Sequence, residues 1–298
     1  MESPDAGKPS PTAPPHRARR LVLSTAAALG AVILFTPIFA ALFGMGSRRA
    51  AVLALQLGFL VALGVTGSRP LDAWLGENGL APLGGVLGRW PAGFLVGLFG
   101  LGLYSGILFL VGEREPQRFS DPLVILAKSV KYLPLAFLIG ILEDVLFFGL
   151  LYHALGRRIL PAAFIYAWSH FIHIEKGAAF SAAAWRHGLE ALPMMGERLV
   201  AAFSRPVEFT GLFVVGAVLC ALRRESRSLW FGMGVHGGWY FVRAVGRKFN
   251  EDRAGNHEWL FGTDLFYDGV LGWVLLGATG LGGALYFRRR LKRESERG

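Results

Sequence analysis

Residues 132–156 read YLPLAFLIGILEDVLFFGLLYHALG, a run of 25 residues whose only charges are the adjacent Glu143 and Asp144. At about 1.5 Å per helical residue, such a run spans a hydrocarbon layer about 30 Å thick. Two carboxylates near the middle of a membrane-length segment are costly. They are expected to face a polar interior and to serve a function. The run therefore predicts a membrane helix, and its two charges predict a site.

The rest of the chain agrees with that reading. Its 298 residues are 53% apolar and 17% charged, with a mean hydropathy of +0.44. A soluble domain carries about 25% charged residues. The 40 glycines fit membrane helices, where Gly is frequent. The net charge of +10 comes from Lys and Arg between apolar segments and at the two ends. Arg288, Arg289, Arg290, Lys292 and Arg293 directly follow the last apolar run, as topology signals do. No basic face interleaved with aromatics appears, so nucleic acid is not an expected partner. Cys220 is the single cysteine, which excludes an intrachain disulfide and a cysteine metal site and leaves a buried small hydrophobe.

The expected fold is an all-α membrane protein with about eight transmembrane helices in one bundle around a polar intramembrane cavity. The spans are Leu21–Phe43, Ala50–Thr66, Trp90–Val111, Tyr132–Gly156, Ile159–Ile174, Phe209–Leu222, Ser228–Val242 and Gly269–Phe287. The fifth, sixth and seventh are shorter than the usual ~20 residues, as interior-lining spans shielded by longer neighbours can be. Residues 1–20 form a Pro-rich basic tail expected to be disordered, 21–287 the polytopic domain and 288–298 a basic C-terminal tail. The first apolar run, 23 residues, exceeds the ~7–15 of a cleaved signal peptide, so it reads as an uncleaved span. Eight spans put both termini on one side. The basic residues of the short turns Gly156–Arg158 and Arg223–Arg227 make that side cytoplasmic, in a cell membrane. Between spans, Arg69–Arg89 reads as a short surface helix, Glu175–Glu208 as an interfacial amphipathic helix, and Arg243–Asp268 as a polar loop.

Three apolar segments carry titratable groups at comparable depth. Glu143 lies 13 residues before the turn at Gly156, and His170 lies 11 after Ile159, so both are about 17–20 Å from the same face. His236 lies eight residues after Ser228, about 12 Å in from that side. A buried carboxylate has its proton affinity raised by desolvation, which suits Glu143 to act as a base. Asp144 points about 100° away from it on a helix and is assigned a supporting role. His170 and His173 share a helix face, with His170 the deeper and His173 at the span's end. His236 lies among Gly232, Gly234, Gly237 and Gly238, which admit the backbone of either a neighbouring helix or a substrate chain. His153 and His187 read as surface or interfacial residues.

Three motifs in this order resemble the CPBP family, which comprises the CAAX prenyl proteases and bacteriocin-processing enzymes and is also called Abi. Glu143-Asp144-Val145-Leu146-Phe147-Phe148-Gly149 is similar to the family's Glu-Glu-x-x-x-Arg-Gly. Tyr166-Ala167-Trp168-Ser169-His170 is similar to Phe-x-x-x-His, and His236-Gly237-Gly238-Trp239-Tyr240 to His-x-x-x-Asn or Asp. The resemblance covers residues 132–245. It implies a glutamate-dependent intramembrane endopeptidase acting on a membrane-associated protein or peptide, prenylated or carrying a C-terminal sorting tail. Glu143 would activate water with His170, while His236 and Tyr240 would stabilise the oxyanion. The implied mechanism needs no cofactor; the alternative is zinc held by Glu143, His170 and His236, an acceptable three-ligand set. Membrane lipid is the other expected partner.

The chain departs from the motifs at three positions. Asp144 stands for the second Glu, Phe148 for the Arg that would pair with it at i and i+4, and Tyr240 for Asn or Asp. Two other readings compete: a proton-coupled transporter using the same buried acids, and a non-catalytic scaffold derived from the same fold. Internal symmetry, a common mark of transporters, is not found.

Overall fold

In the computed structural model of the protein, residues 84–116, 121–172, 186–246, 250–252, 257–263 and 265–296 are described, together with short stretches between residues 23 and 80. Among them the regular structure is helical apart from one small ribbon. The helices are α1 (Leu29–Ile38), α2 (Gly85–Leu110), α3 (Pro122–Asp144), α4 (Ile159–Ser169), α5 (His187–Ala201), α6 (Pro206–Ser226), α7 (Leu229–Gly246), α8 (Glu258–Phe261) and α9 (Val270–Ser295). The ribbon pairs β1 (Arg114–Pro116) antiparallel with β2 (Asn250–Asp252).

Four helical segments among the described residues are long and apolar enough to cross a membrane: Gly85–Leu110, Pro122–Ala154, Pro206–Ser226 and Val270–Arg290. Large apolar side chains cover their outer faces, among them Leu95, Phe99, Leu103, Leu126, Val130 and Leu281. A soluble protein avoids so continuous an apolar exterior. Lipid tails satisfy it.

Several expected boundaries change. The span expected over Tyr132–Gly156 begins ten residues earlier, because Asp121 caps the helix by accepting from Leu123 N at 2.8 Å and Pro122 fits the first turn. The span expected from Trp90 begins at Gly85, so the end of the expected surface helix Arg69–Arg89 belongs to α2. Trp74 in that stretch lies outside the described residues. The span expected over Ile159–Ile174 is only the 11-residue α4 and stops at Ser169. The expected loop Arg243–Asp268 instead contains the end of α7, β2 and α8. The start of the basic C-terminal stretch continues α9 to Ser295. Half of the residues of the first two expected spans, and the first twenty residues, lie outside the described residues.

α7 is the centre of the bundle, packed on α2, α3 and α6, with α9 against α2 and α6 and α4 against α6. Glycines make the α2–α7 contact a backbone contact. A Cβ at Gly234 would meet Trp90 O, one at Gly238 Phe94 O, one at Gly93 Phe231 O and one at Gly97 Val235 O. Gly232, by contrast, faces open space. The glycine cluster around His236 thus admits a helix, the plainer of its two expected uses.

The α6–α7 turn is fixed from outside. Arg227 takes a left-handed conformation (φ 54°), Leu229 N donates to Gly79 O at 2.8 Å and Trp230 Nε1 to Leu80 O at 2.9 Å. Arg288 of α9 reaches Glu225 of α6 with a two-pronged ion pair at 2.8 and 3.0 Å. α5 is amphipathic as expected, and its apolar side packs on the first helix: Ala191 and Met195 join Val32 and Ala51 in a small second core.

Candidate active site

Glu143 and Asp144 close α3, and the chain then continues for seven residues, Val145–Leu151, as a π-helix with i→i+5 bonding. Widened turns of this kind recur at functional sites. All seven residues are buried. In this turn Phe147 and Phe148 both pack on Tyr166, at ring centroid distances of 5.3 and 5.1 Å. The two carboxylates separate in character: the Glu143 side chain keeps 19% of its exposure and that of Asp144 only 1%.

His170 arrives at the end of α4, and its own side chain helps to end that helix. The Tyr166 carbonyl accepts from Ser169 Oγ at 2.7 Å and from His170 Nδ1 at 2.8 Å. His170 N turns instead to Ala167 O at 3.2 Å, a tighter final turn. Trp168 Nε1 donates to Leu199 O at 2.9 Å and ties this end to α5. The imidazole sits over Tyr166, with ring centroids 4.3 Å apart.

His236 is carried in the middle of α7, where the glycine contacts leave no slack between helices. Its Nδ1 lies 2.7 Å from Asp144 Oδ1. Its Nε2 lies 3.8 Å from Glu143 Oε2, and His170 Nε2 lies 3.6 Å from the same oxygen. Three helices thus bring Glu143, His170 and His236 to one point.

The partners assign the tautomers. A carbonyl only accepts, so His170 Nδ1 carries hydrogen; a carboxylate accepts, so His236 Nδ1 does too. In the neutral rings both Nε2 atoms then present lone pairs toward Glu143. Three acceptors facing one another need a donor between them. The separations of 3.6 and 3.8 Å are too long for direct hydrogen bonds. A proton on either Nε2, or a water molecule between the groups, would answer that need. Side-chain exposures of 26% at His170 and 19% at Glu143 leave room for water to reach them.

The other expected residues fall out unequally. Asp144 bonds His236 through Oδ1, while its Oδ2 is buried without a partner. Phe148, at the place of the motif's Arg, is 1% exposed within the aromatic cluster. Tyr240 sits one turn beyond His236 on α7, with no hydrogen bond to the three central side chains among the described residues. His173 lies outside the described residues. Cys220 is fully buried and free. For zinc, no three His, Cys, Asp or Glu groups among the described residues are arranged as ligands of one ion.

Sequence reasoning passed over Tyr166 as a site residue. It stands where the motif has Phe, its carbonyl orients His170, and its ring borders both histidines. Its position four residues before His170 was the available signal.

Residues 126–242 match the family model described as type II CAAX prenyl endopeptidase Rce1-like, a CAAX protease family of the kind that the three motifs resemble. All three motifs fall inside the matched segment. No curated protein and no solved structure matches the chain.

Proposed function

We propose that this membrane protein, with its segment matching the CAAX protease family, is an intramembrane endopeptidase. In this reading Glu143 takes a proton from water, His170 holds that water and passes the proton on, and the water oxygen attacks a peptide carbonyl. His236, oriented by Asp144, turns its Nε2 toward the developing oxyanion as a donor when protonated, with Tyr240 as a second donor one turn away. The amine leaves with the proton that Glu143 took. Peptide hydrolysis needs both an activated water and a donor aimed at the new negative charge. The observation that carries the reading is the meeting of Glu143 Oε2 with two imidazole Nε2 atoms at 3.6 and 3.8 Å.

The mechanism is metal-independent, and its substrate is a membrane-associated protein or peptide with a lipidated or sorted tail. The chain crosses the membrane eight times with both termini cytoplasmic. The placing of Arg157, Arg158, Arg223, Arg224, Arg227 and Arg288 at the ends of neighbouring helices supports that orientation. Because Cys220 is buried and single, introduced cysteines report sidedness cleanly by thiol labelling.

The deciding experiment compares protein termini in membranes of cells carrying the wild-type chain and Glu143→Gln. Unprocessed termini should accumulate with Glu143→Gln at unchanged levels of folded protein. Identical termini in the two strains would reject the peptidase in favour of a non-catalytic scaffold.

A further inference from the structure

Arg157 and Arg227 are the two non-glycine residues with positive φ among the described residues, at 61° and 54°. Each ends a helical segment: Arg157 N donates to Tyr152 O at 2.8 Å, and Arg227 caps α6. Glycine takes this conformation at less cost and is the usual residue there. A topology signal needs only charge, which a residue of ordinary backbone supplies as well. Two arginines kept in left-handed turns therefore point to a further use, since such strain collects at functional positions.

The two turns meet at one end of the bundle. α4 packs on α6, and the charge of Arg157, just before α4, acts on Arg223 in the last turn of α6. Arg223 is only 9% exposed. Its guanidinium lies on the backbone of Gly79 (φ 76°), where a Cβ would overlap it. The charges of Arg157, Arg223 and Arg224 all reach the Tyr152 hydroxyl. Glu225, the carboxylate beside Arg224, is already held by Arg224 and Arg288. Guanidinium groups brought this close repel one another. A phosphate between them replaces that repulsion with charge-assisted hydrogen bonds.

The neighbouring surface indicates what carries the phosphate. Just after Arg157, α4 presents Leu160 and Phe164, one helical turn apart and 65% and 39% exposed. A soluble anion gains nothing from that apolar strip, whereas an acyl chain does. Basic pockets between membrane helices take lipid headgroups in this way. We infer that Arg157 and Arg223 bind the phosphate of an anionic phospholipid, whose acyl chain lies along Leu160 and Phe164. The inference is independent of the peptidase reading, because it uses no residue of the candidate active site.

The test is native mass spectrometry of the full-length protein in detergent micelles, with an equimolar mixture of dioleoyl phosphatidylglycerol and dioleoyl phosphatidylcholine. The wild-type protein should retain phosphatidylglycerol in clear preference. General attraction of anionic lipid to one surface Arg is worth about fivefold. Arg157→Gln should lower the preference by about tenfold or more, and Arg289→Gln, on the exposed end of α9, by no more than that general fivefold. Arg157→Gly suits the left-handed turn, so it keeps the fold and should lose the preference equally. Glycerol phosphate, a headgroup without chains, should displace nothing even in large excess. Absence of a wild-type preference overturns the inference. So does a loss at Arg157→Gln no larger than that at Arg289→Gln. Displacement by glycerol phosphate would overturn the lipid as ligand and assign the arginines to a soluble phosphate compound.

Discussion

His236 Nδ1 lies 2.7 Å from Asp144 Oδ1, and this one contact decides which nitrogen of the ring faces Glu143. Asp144 is thereby a positioning group for a residue 92 places away. Asp144→Asn can turn its amide nitrogen toward Nδ1 and so reverse the tautomer. Catalytic turnover should fall by about 10²–10⁴-fold, the scale of one acid–base partner, with substrate affinity little changed. Separate measurement of kcat and KM checks this. A rise in KM alone would assign Asp144 to substrate binding.

The α2–α7 backbone contact predicts opposite outcomes for two neighbouring glycines. Gly234→Ala would push a methyl group onto Trp90 O, and overpacking of this kind costs about 1–3 kcal/mol. Gly232→Ala meets nothing within 4 Å and should stabilise by about 0.4–1 kcal/mol through the unfolded chain. Thermal unfolding in detergent separates the two. Activity should follow stability at Gly234, because displacement of α7 moves His236.

A metal-independent mechanism predicts that strong chelators leave activity unchanged and that added zinc does not raise it. Dialysis of purified protein against chelator, followed by assay with and without zinc, makes the comparison. Loss on chelation with recovery on zinc would replace the water-activation scheme by a metal-held one.

Asp268, outside the membrane-spanning segments, accepts from Thr263 N at 3.0 Å and from the Thr263 hydroxyl. Burial nevertheless holds its carboxyl above the ordinary range, outweighing those bonds. A raised folded-state value means that the proton binds the folded form more tightly. Its contribution to stability is therefore full below the ordinary carboxylate range and is lost as pH rises through the raised value. Asp268→Asn should flatten unfolding temperature against pH in that window. An unchanged profile would remove Asp268 as its source.

The meeting of the candidate-site residues was more legible in the sequence than the fold's outline. Glu143, His170 and His236 stood out because each is a polar group in an apolar run, and comparable depth can be counted along a helix. The end of α4 was not legible in that way. Residues 159–174 carry no Asp, Glu, Lys or Arg and no glycine to mark an end, and only the side-chain bonds of Ser169 and His170 to the Tyr166 carbonyl show where the helix stops. The start of the long span at Pro122 was missed for a similar reason. Lys128 and Lys131 break the apolar pattern, while the cap that nucleates the helix lies earlier, at Asp121. The role of the glycines around His236 depended on α2, and no local pattern states which helix will lie across them.

The π-helical stretch Val145–Leu151 has a consequence for counting residues. A π turn stores one residue more than an α turn. Deleting a single residue between 145 and 151 could therefore be absorbed by tightening the turn, while Glu143 stays on α3 and His170 stays at the end of α4. The number of residues between the first two motifs is then a property of the hydrogen-bond pattern between them. A sequence one residue shorter in this stretch can hold its glutamate and histidine in the same place.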